Sequence, residues 1–341
     1  MKIAVYGISK NEEANVKRFM KSCSGADVVV ITDTGSTDNT VKLLKEYGAV
    51  VHEAIIDPWR FDEARNIALS HVPDDVDICI SIDLDESLQP GWREGLEKEW
   101  KKHPGCTMVS YRYVAWWKDK EQTMPDVVCY RSKIHARHGY KWHNIVHERV
   151  LPEDMENAVN VYTDLVTVHH HRQEITDYID LLSQMIEQDP DNEEPYLLRA
   201  SDYINYRKYE EAIADYKKYI SMTTFPKNEL ITSQRAHSYI GLAKALHNMG
   251  ESPNEVIKML LRAVGECPGM REPWVYLADG YMSVGNYPLA YGAAMMALSI
   301  TTNGYHVREE ICWGDLPKQI ASSAYSRMNE RSVNYGNSLW R

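Results

Sequence analysis

The feature that most constrains this fold is an apolar stretch that ends in clustered acids. Residues 79–82 have the character of a strand buried on both faces, and Asp83, Asp85 and Glu86 follow directly. Carboxylates this close together repel one another unless a cation lies between them. Oxygen ligands suit a hard divalent ion such as Mg2+ or Mn2+. The stretch therefore predicts a metal site at a strand end, and an acidic turn without a metal is the alternative.

Strand-like and helix-like segments alternate through the first part of the chain. The apolar strands are predicted at residues 2–8, 28–31, 49–52 and 77–82. Helices are predicted between them, and this alternation is typical of βαβ units with a parallel sheet. Ligands of such sheets bind beyond the carboxyl ends of the strands. Asp33 and Asp83 both follow predicted strands, so we expect them at one edge of the sheet.

The pattern changes in the next part of the chain. Two strand-like segments, residues 107–117 and 124–130, are joined by a polar turn and predict a hairpin added to the sheet. Residues 159–171 then predict a strand that ends in three consecutive histidines. Because side chains alternate along a strand, His169 and His171 are expected on the same face.

Helical periodicity dominates the second half of the chain. Its clearest repeat positions are Trp274, Leu277, Ala278, Tyr281, Ala290, Ala294 and Ala297. This spacing resembles the two packed helices of a tetratricopeptide unit. We therefore expect an α/β domain over residues 1–171 and an all-α tetratricopeptide-like repeat domain over residues 172–341. Stacked repeats bind peptides or mediate self-association, and the alternative is that they only support the first domain.

Length, charge and cysteine content argue against several classes of protein. A chain of 341 residues is long enough for two domains. Its net charge of −11 disfavours binding to a nucleic-acid backbone. The sequence has no apolar run of the roughly 20 residues that a membrane span needs. Its six cysteines form no Cys-x-x-Cys pair, so we expect reduced thiols in a cytoplasmic protein.

Four segments of the first half share an order and spacing that are known from one enzyme family. They are residues 8–13, 30–40, 59–66 and 83–86. Together they resemble the motifs of family 2 glycosyltransferases with the GT-A fold. The resemblance implies a Rossmann-like, mostly parallel sheet and an inverting transfer of sugar from a nucleotide-sugar, above all a UDP-sugar. A looser match to a bacterial and phage subgroup, which includes enzymes that glycosylate peptide cysteines, adds a peptide to the expected acceptors.

The resemblance also implies which residues hold the donor. Asp33 is suited to accept a hydrogen bond from a uracil-like N–H, and Asn11 and Glu12 would flank the base. Arg65 would pair with phosphate or hold Asp33, and Asp83 would contact the ribose or a metal-bound water. The alternatives are a plain turn residue for Asp33 and a solvated helix charge for Arg65.

A divalent metal, Mn2+ or Mg2+, is expected to bridge the two phosphates of the donor. Such an ion stabilises the diphosphate as it leaves. The resemblance implies that Asp85 is the direct ligand and that a histidine beyond the acceptor region is another. His169 fits that position best, and a strand-end cluster of histidines without a metal is the alternative.

An inverting transfer needs one general base on the acceptor side. The family's acidic base follows the hairpin region, where Glu148 stands in this sequence. His147 would orient it, and the chain has His-Glu here where many relatives have Glu-Asp. An ordinary surface charge is the alternative for Glu148.

Two functions from different classes are consistent with these patterns. The first is a metal-dependent inverting glycosyltransferase whose acceptor is a peptide, a protein or a glycan. The second is a tetratricopeptide adaptor with an inactive transferase domain. The acids Asp33, Asp83 and Asp85 and the cation Arg65 favour the first, because an inactive domain has no need of them. The helical domain would also allow a homo-oligomer.

Overall fold

The computed structural model describes residues 1–171, 177–223, 229–302 and 307–328. The chain divides into two compact units, Met1–Glu174 and Ile175–Arg341. The domain boundary after residue 171 stays a prediction, because residues 172–176 lie outside the described ones.

Strands and helices alternate in the first unit up to the fourth strand, and one further helix lies among the strands that follow. In chain order the elements are β1 Ile3–Ser9, α1 Glu13–Ser22, β2 Val28–Asp33, α2 Thr40–Glu46, β3 Val50–Glu53, α3 Phe61–Ser70, β4 Ile78–Ser81, β5 Glu86–Leu88, α4 Trp92–Lys102, β6 Met108–Trp117, β7 Pro125–Ala136, β8 Tyr140–His143, β9 Arg149–Pro152 and β10 Asn160–His170. The four predicted strands and the predicted β6–β7 hairpin are confirmed. The short strand β5 and the β8–β9 hairpin were not predicted.

The main sheet of this unit is mixed, with a parallel half and an antiparallel insertion. Its strands lie in the order β3-β2-β1-β4-β7-β6-β10-β5. The first four are parallel neighbours, and β7 runs antiparallel to both β4 and β6. The predicted Rossmann-like sheet is therefore confirmed, and the hairpin lies within the sheet rather than at its edge. Strands β8 and β9 form a separate antiparallel pair.

The central strands are apolar at successive positions because both of their faces are buried. In β1, Ile3 and Val5 belong to one hydrophobic cluster, whereas Ala4 and Tyr6 belong to a second cluster on the opposite face. All four side chains are fully buried. Burial on both faces is what a parallel sheet covered on each side requires.

Gly7 lets the carboxyl ends of β1 and β4 approach closely. A Cβ atom at this position would lie 2.6 Å from the carbonyl oxygen of Ile82. That oxygen belongs to the residue before Asp83, so the close approach fixes where the acidic turn leaves the sheet. Because the obstructing atom is backbone, a larger residue would displace this turn.

The described part of the second unit is almost entirely helical. Its elements are α5 Ile179–Gln188, α6 Glu194–Asn205, α7 Tyr209–Met222, α8 Glu229–Asn248, α9 Pro253–Glu266, α10 Arg271–Ser283, α11 Tyr287–Ser299, β11 Val307–Glu309, α12 Glu310–Trp313 and α13 Leu316–Met328. Consecutive helices pack against one another in pairs. Among the described residues, no helix is both long and apolar enough to cross a membrane.

Small side chains at the repeat positions allow these helices to pack closely. Ala243, Ala278 and Ala294 are fully buried in one continuous cluster. At Gly241, even a Cβ atom would overlap the ring of Tyr216 from a neighbouring helix. The predicted helical repeat domain is confirmed, because small buried residues lie beside large aromatic ones between packed helices.

Candidate active site

The loops after β1 and β2 are joined to each other by side-chain to backbone hydrogen bonds. The amide of Asn11 donates to Ser36 Oγ (2.8 Å), and Asn11 Oδ1 accepts from the amide of Thr37 (2.8 Å). The amide of Glu12 donates to Thr40 Oγ1 (2.7 Å). Asn11 has a φ of 56°, a backbone conformation that asparagine tolerates better than most residues. These bonds give the edge of the sheet a fixed shape at the predicted base-binding end.

Asp33 lies at the end of β2 and organises the loop that follows it. Its carboxylate is 2% exposed and accepts hydrogen bonds from Ser9 Oγ (2.8 Å) and from Ser36 Oγ (2.5 Å). It also accepts from the amides of Gly35 (3.1 Å) and Ser36 (2.8 Å). Gly35 has a φ of 102°, which favours glycine at this turn. The contact of Asp33 with a nucleobase stays a prediction.

Arg65 lies at the centre of the candidate site, between two carboxylates. Its side chain is 3% exposed; Nε donates to Glu148 (2.5 Å) and one terminal nitrogen donates to Asp83 (2.7 Å). Its guanidinium also lies over the indole of Trp142, 4.9 Å from the ring centroid. The structure therefore brings together three predicted residues that are far apart in the sequence. The solvated helix charge that was the alternative for Arg65 is wrong.

Lys133 is a second cation at Asp83, and no pattern in the sequence indicates its role. Its side chain is 9% exposed, and Nζ lies 3.4 Å from Asp83. Burial opposes ionisation of Glu148, but the charges of Arg65 and Lys133 outweigh it and lower the pKa of Glu148. The same two cations lower the pKa of Asp83 against its burial. Both acids are therefore held as carboxylates at neutral pH.

Glu148 lies in the loop between β8 and β9, and helix α3 holds this hairpin. Asn66 Nδ2 donates to the carbonyl of Trp142 (2.9 Å), and the Trp142 amide donates to Asn66 Oδ1 (2.9 Å). The amide of Phe61 donates to the carbonyl of Ile145 in the loop itself (2.9 Å). One helix thus carries Arg65 on its buried face and also fixes the hairpin that carries the predicted base.

A buried hydrogen-bond chain orients the indole of Trp142. Its Nε1 donates to the hydroxyl of Tyr6 (2.8 Å), which in turn lies 2.9 Å from His135 Nε2. His135 Nδ1 lies 2.8 Å from the carbonyl of Ala136, so Nδ1 carries the proton and Nε2 accepts from Tyr6. Burial lowers the pKa of His135 to about 4. The chain is therefore neutral and fully paired at neutral pH.

The loop that carries Glu148 has an unusual backbone. Asn144 has a φ of 77° and His147 a φ of 51°, both in the left-handed region. Non-glycine residues in this region concentrate at functional sites, where neighbouring contacts hold them in place. Burial outweighs the nearby charge of Glu148 and lowers the pKa of His147. The predicted role of His147 in orienting Glu148 stays a prediction.

Glu86 forms hydrogen bonds that hold the acidic turn together. Its buried carboxylate accepts hydrogen bonds from the amide of Asp83 (2.9 Å) and from the hydroxyl of Tyr113 (2.8 Å). The amide of Glu86 donates back to the carbonyl of Asp83 (2.9 Å). Glu86 therefore closes the acidic turn, and its buried carboxylate has a structural role there.

Asp85 follows Asp83 in this turn, and the histidine beside its carboxylate is not the predicted one. His170 Nε2 lies 3.4 Å from Asp85 Oδ2, and the amide of His171 donates to the Asp85 carbonyl (2.9 Å). His169 packs its ring edge-on against Trp117, with 4.8 Å between the centroids. Side-chain alternation turns His169 away from the face that carries His170. His169 as a metal ligand stays a prediction, and the geometry favours His170.

A divalent metal fits this corner of the site only if the donor supplies part of its ligands. Asp85 offers the hard oxygen donor that Mg2+ or Mn2+ prefers. Among the described residues, no group of three or more histidine, cysteine, aspartate or glutamate side chains is placed to hold a metal. His170 Nδ1 lies 3.2 Å from the carbonyl of Ala115, an arrangement that leaves Nε2 directed at Asp85. Asp85 and His170 are thus the side chains that fit such an ion.

Comparison with known proteins finds similarity between the amino-terminal unit and one enzyme family. Residues 6–152 match the family model described as glycosyl transferase family 2. An uncharacterized glycosyltransferase of Rickettsia typhi is 32% identical over 113 residues, which cover 33% of this chain and 37% of that protein. One of Rickettsia bellii is 24% identical over 180 residues, which cover 50% of this chain and 60% of that protein. Residues 6–152 are therefore similar to family 2 glycosyltransferases, and the matched segments span less than two thirds of the length of these relatives.

Solved structures of helical repeat proteins are also similar to part of this chain. The crystal structure of MamA is 23% identical, covers 45% of this chain and 78% of its own, and has a TM-score of 0.36. The structure of YrrB, a tetratricopeptide protein with an unusual peptide-binding site, is 14% identical, covers 45% of this chain and 69% of its own, and has a TM-score of 0.34.

Proposed function

We propose that this protein is a metal-dependent inverting glycosyltransferase that moves a sugar from a nucleotide-sugar, a UDP-sugar above all, to an acceptor. The observation that carries the proposal is the position of Arg65, which pairs with Glu148 at 2.5 Å and with Asp83 at 2.7 Å. The first carboxylate is the proposed base, and the second belongs to the donor side. A surface charge or an inactive remnant would not need a buried cation shared between them.

Glu148 takes the proton of the acceptor in this proposal. Its lowered pKa keeps it deprotonated at neutral pH, as a general base must be before the reaction. During in-line attack, the acceptor's nucleophilic atom bonds to the anomeric carbon while the bond to the diphosphate breaks. The proton moves to Glu148, and the electron pair of the broken bond leaves with the diphosphate.

The other predicted residues hold the donor. Asn11, Glu12 and Asp33 shape the base-binding edge, and Asp83 is directed at the ribose side by its bonds to Arg65 and Lys133. A metal ion held by Asp85, with His170 beside it, would supply a positive charge for the leaving diphosphate. The donor side and the acceptor side therefore meet at Arg65, which contacts a carboxylate of each.

A nucleotide-release assay tests this function. The protein is incubated with a panel of UDP- and GDP-sugars, with Mn2+ or with a chelator, and release of nucleotide diphosphate is measured. We expect metal-dependent release from at least one donor. If no donor turns over and no nucleotide binds in a metal-dependent way, the adaptor function with an inactive domain replaces this proposal.

Two variants and a matched control assign the roles. Glu148→Gln should retain UDP binding and lose transfer by a factor of about 100 or more. Glu153→Gln changes an exposed glutamate that follows the same hairpin and should leave the rate unchanged. Asp85→Ala should abolish metal-dependent nucleotide binding. A normal transfer rate in Glu148→Gln would move the base to another residue.

The acceptor is proposed to be a peptide, a protein or a glycan. Tetratricopeptide-like helices present surfaces that commonly bind peptides, which supports a peptide or protein. Incubating the enzyme and a labelled donor with peptide and oligosaccharide libraries would separate these classes, because label would transfer to one of them.

A further inference from the structure

We infer that Asn66 is a positioning residue for Glu148, acting through a clamp that consists of the Asn66 side chain and the backbone of Trp142. The inference rests on the proposed function, because it concerns the base of that reaction. Both clamp bonds are 2.9 Å long, and each uses one polar atom of the amide group. The side chain thus imitates a neighbouring strand and pairs with the free edge of β8.

The clamp connects the donor side and the acceptor side of the candidate site through one turn of helix α3. Arg65 and Asn66 are consecutive on α3, so one points to the carboxylates and the other to the hairpin. A shift of the hairpin relative to α3 would therefore change the distance between Arg65 and Glu148 directly. Without the clamp, the loop would depend on its remaining contacts, which include the Phe61–Ile145 backbone bond, the Trp142–Tyr6 bond and the Arg65–Glu148 pair.

The clamp matters because two loop residues are in the left-handed region, which asparagine and histidine tolerate better than most residues but still at some cost. Asn144 and His147, which flank the middle of the loop, both have a positive φ. A segment in this conformation relaxes when the contacts that hold it are removed. Since a displacement of about 1 Å can cost about 100-fold in rate, a relaxed loop should transfer sugar slowly even with Glu148 present.

The mechanism predicts a specific kinetic pattern for Asn66→Ala. The turnover number should fall about 10- to 100-fold, because the base is misplaced. The KM for the donor and the Kd for UDP with Mn2+ should change less than twofold, because the clamp contacts neither Asp33 nor Asp85. Hydrogen exchange of the Trp142 amide should become faster, since its acceptor is gone.

Tyr140→Phe is the matched control. Tyr140 lies on the same strand, two residues before Trp142, and its hydroxyl donates a single bond to Thr107 Oγ1 (2.9 Å) away from the loop. We expect this variant to lose some stability and keep its turnover number. The comparison therefore separates loss of a hydrogen bond in the hairpin from loss of the clamp.

A second variant keeps the inference testable if Asn66→Ala does not fold. Asn66→Asp keeps an acceptor for the Trp142 amide and loses the donor to its carbonyl, so its turnover number should be more than twofold below that of Tyr140→Phe. The inference is overturned if the turnover number of either Asn66 variant is within twofold of that of Tyr140→Phe. It is also overturned if the donor KM changes by the same factor as the turnover number. Failure of the wild type to release UDP from any donor would instead refute the proposed function.

Discussion

Replacement of Arg65 by methionine tests the core of the proposed site. Methionine keeps much of the arginine volume and removes the positive charge. Two carboxylates, Glu148 and Asp83, would then lie in the site with Lys133 as the remaining cation that contacts Asp83. Leaving a buried charge without its partner costs about 3–5 kcal/mol of unfolding free energy. For a domain of this size, that cost lowers the melting temperature by roughly 6–20 °C.

The pH dependence of this loss follows from the carboxylates. Without Arg65, burial will raise the pKa of Glu148 above its value in the wild type, where the net shift from 4.5 is downward. The wild-type carboxylate contributes stability above its unfolded pKa and loses that contribution as the pH falls. In the Arg65→Met variant, Glu148 and Asp83 take up protons over the same pH range and then no longer repel each other. The stability difference between wild type and variant should therefore shrink from pH 7 towards pH 4.

The measurement is chemical denaturation at several pH values, with a control at the residue that precedes the same helix. Arg60→Met removes a partly exposed cation that pairs with Asp62 at 2.8 Å, and we expect a loss of less than about 1 kcal/mol. Adding Glu148→Gln to Arg65→Met should restore part of the lost stability, because one of the two charges is gone. The reasoning is refuted if Arg65→Met resembles Arg60→Met, or if its stability loss grows as the pH falls.

Two further predictions concern the fold at the sheet edge and the metal ligands. Gly7→Ala should cost about 1–3 kcal/mol of unfolding free energy, because its Cβ would lie 2.6 Å from the Ile82 carbonyl oxygen. Gly292→Ala, on an open helix face, should leave the stability unchanged or raise it. Equal effects of the two changes in chemical denaturation would show that the close approach at Gly7 does not matter. His170→Gln should weaken Mn2+-dependent UDP binding, measured by calorimetry, about tenfold or more, and His169→Gln should leave it unchanged. A larger loss of affinity in His169→Gln than in His170→Gln would restore His169 as the ligand.

The arrangement of the candidate site shows where prediction from sequence stops. Asp33 and Asp83 could be placed at one sheet edge, because each follows an apolar strand and parallel strands end at the same edge. Glu148 could be proposed as the base from the resemblance. The sequence did not reveal that Arg65 contacts it, because 83 positions separate the two residues and no local pattern encodes such a contact. Lys133 and Trp142 were missed for the same reason.

The histidines at the end of β10 also separate what the sequence predicts from what the tertiary structure decides. Alternation along β10 correctly separates His170 from its neighbours, but it cannot say which face meets Asp85. That choice depends on how β10 pairs with β5 and β6, and the β6 pairing shifts between Thr163 and Thr167. Register of this kind is set by packing across the sheet.

By itself, the sequence determined the α/β domain, the helical repeats and the acidic turn, because hydrophobic period, turn residues and charge spacing are local properties. The tertiary structure decided what each acid does. Glu86 closes the turn, Asp83 pairs with two cations, and Glu148 is held by a helix that lies far away in the chain. The physical reason is that the state and direction of a buried carboxylate depend on the charges and donors around it, and folding alone brings these together.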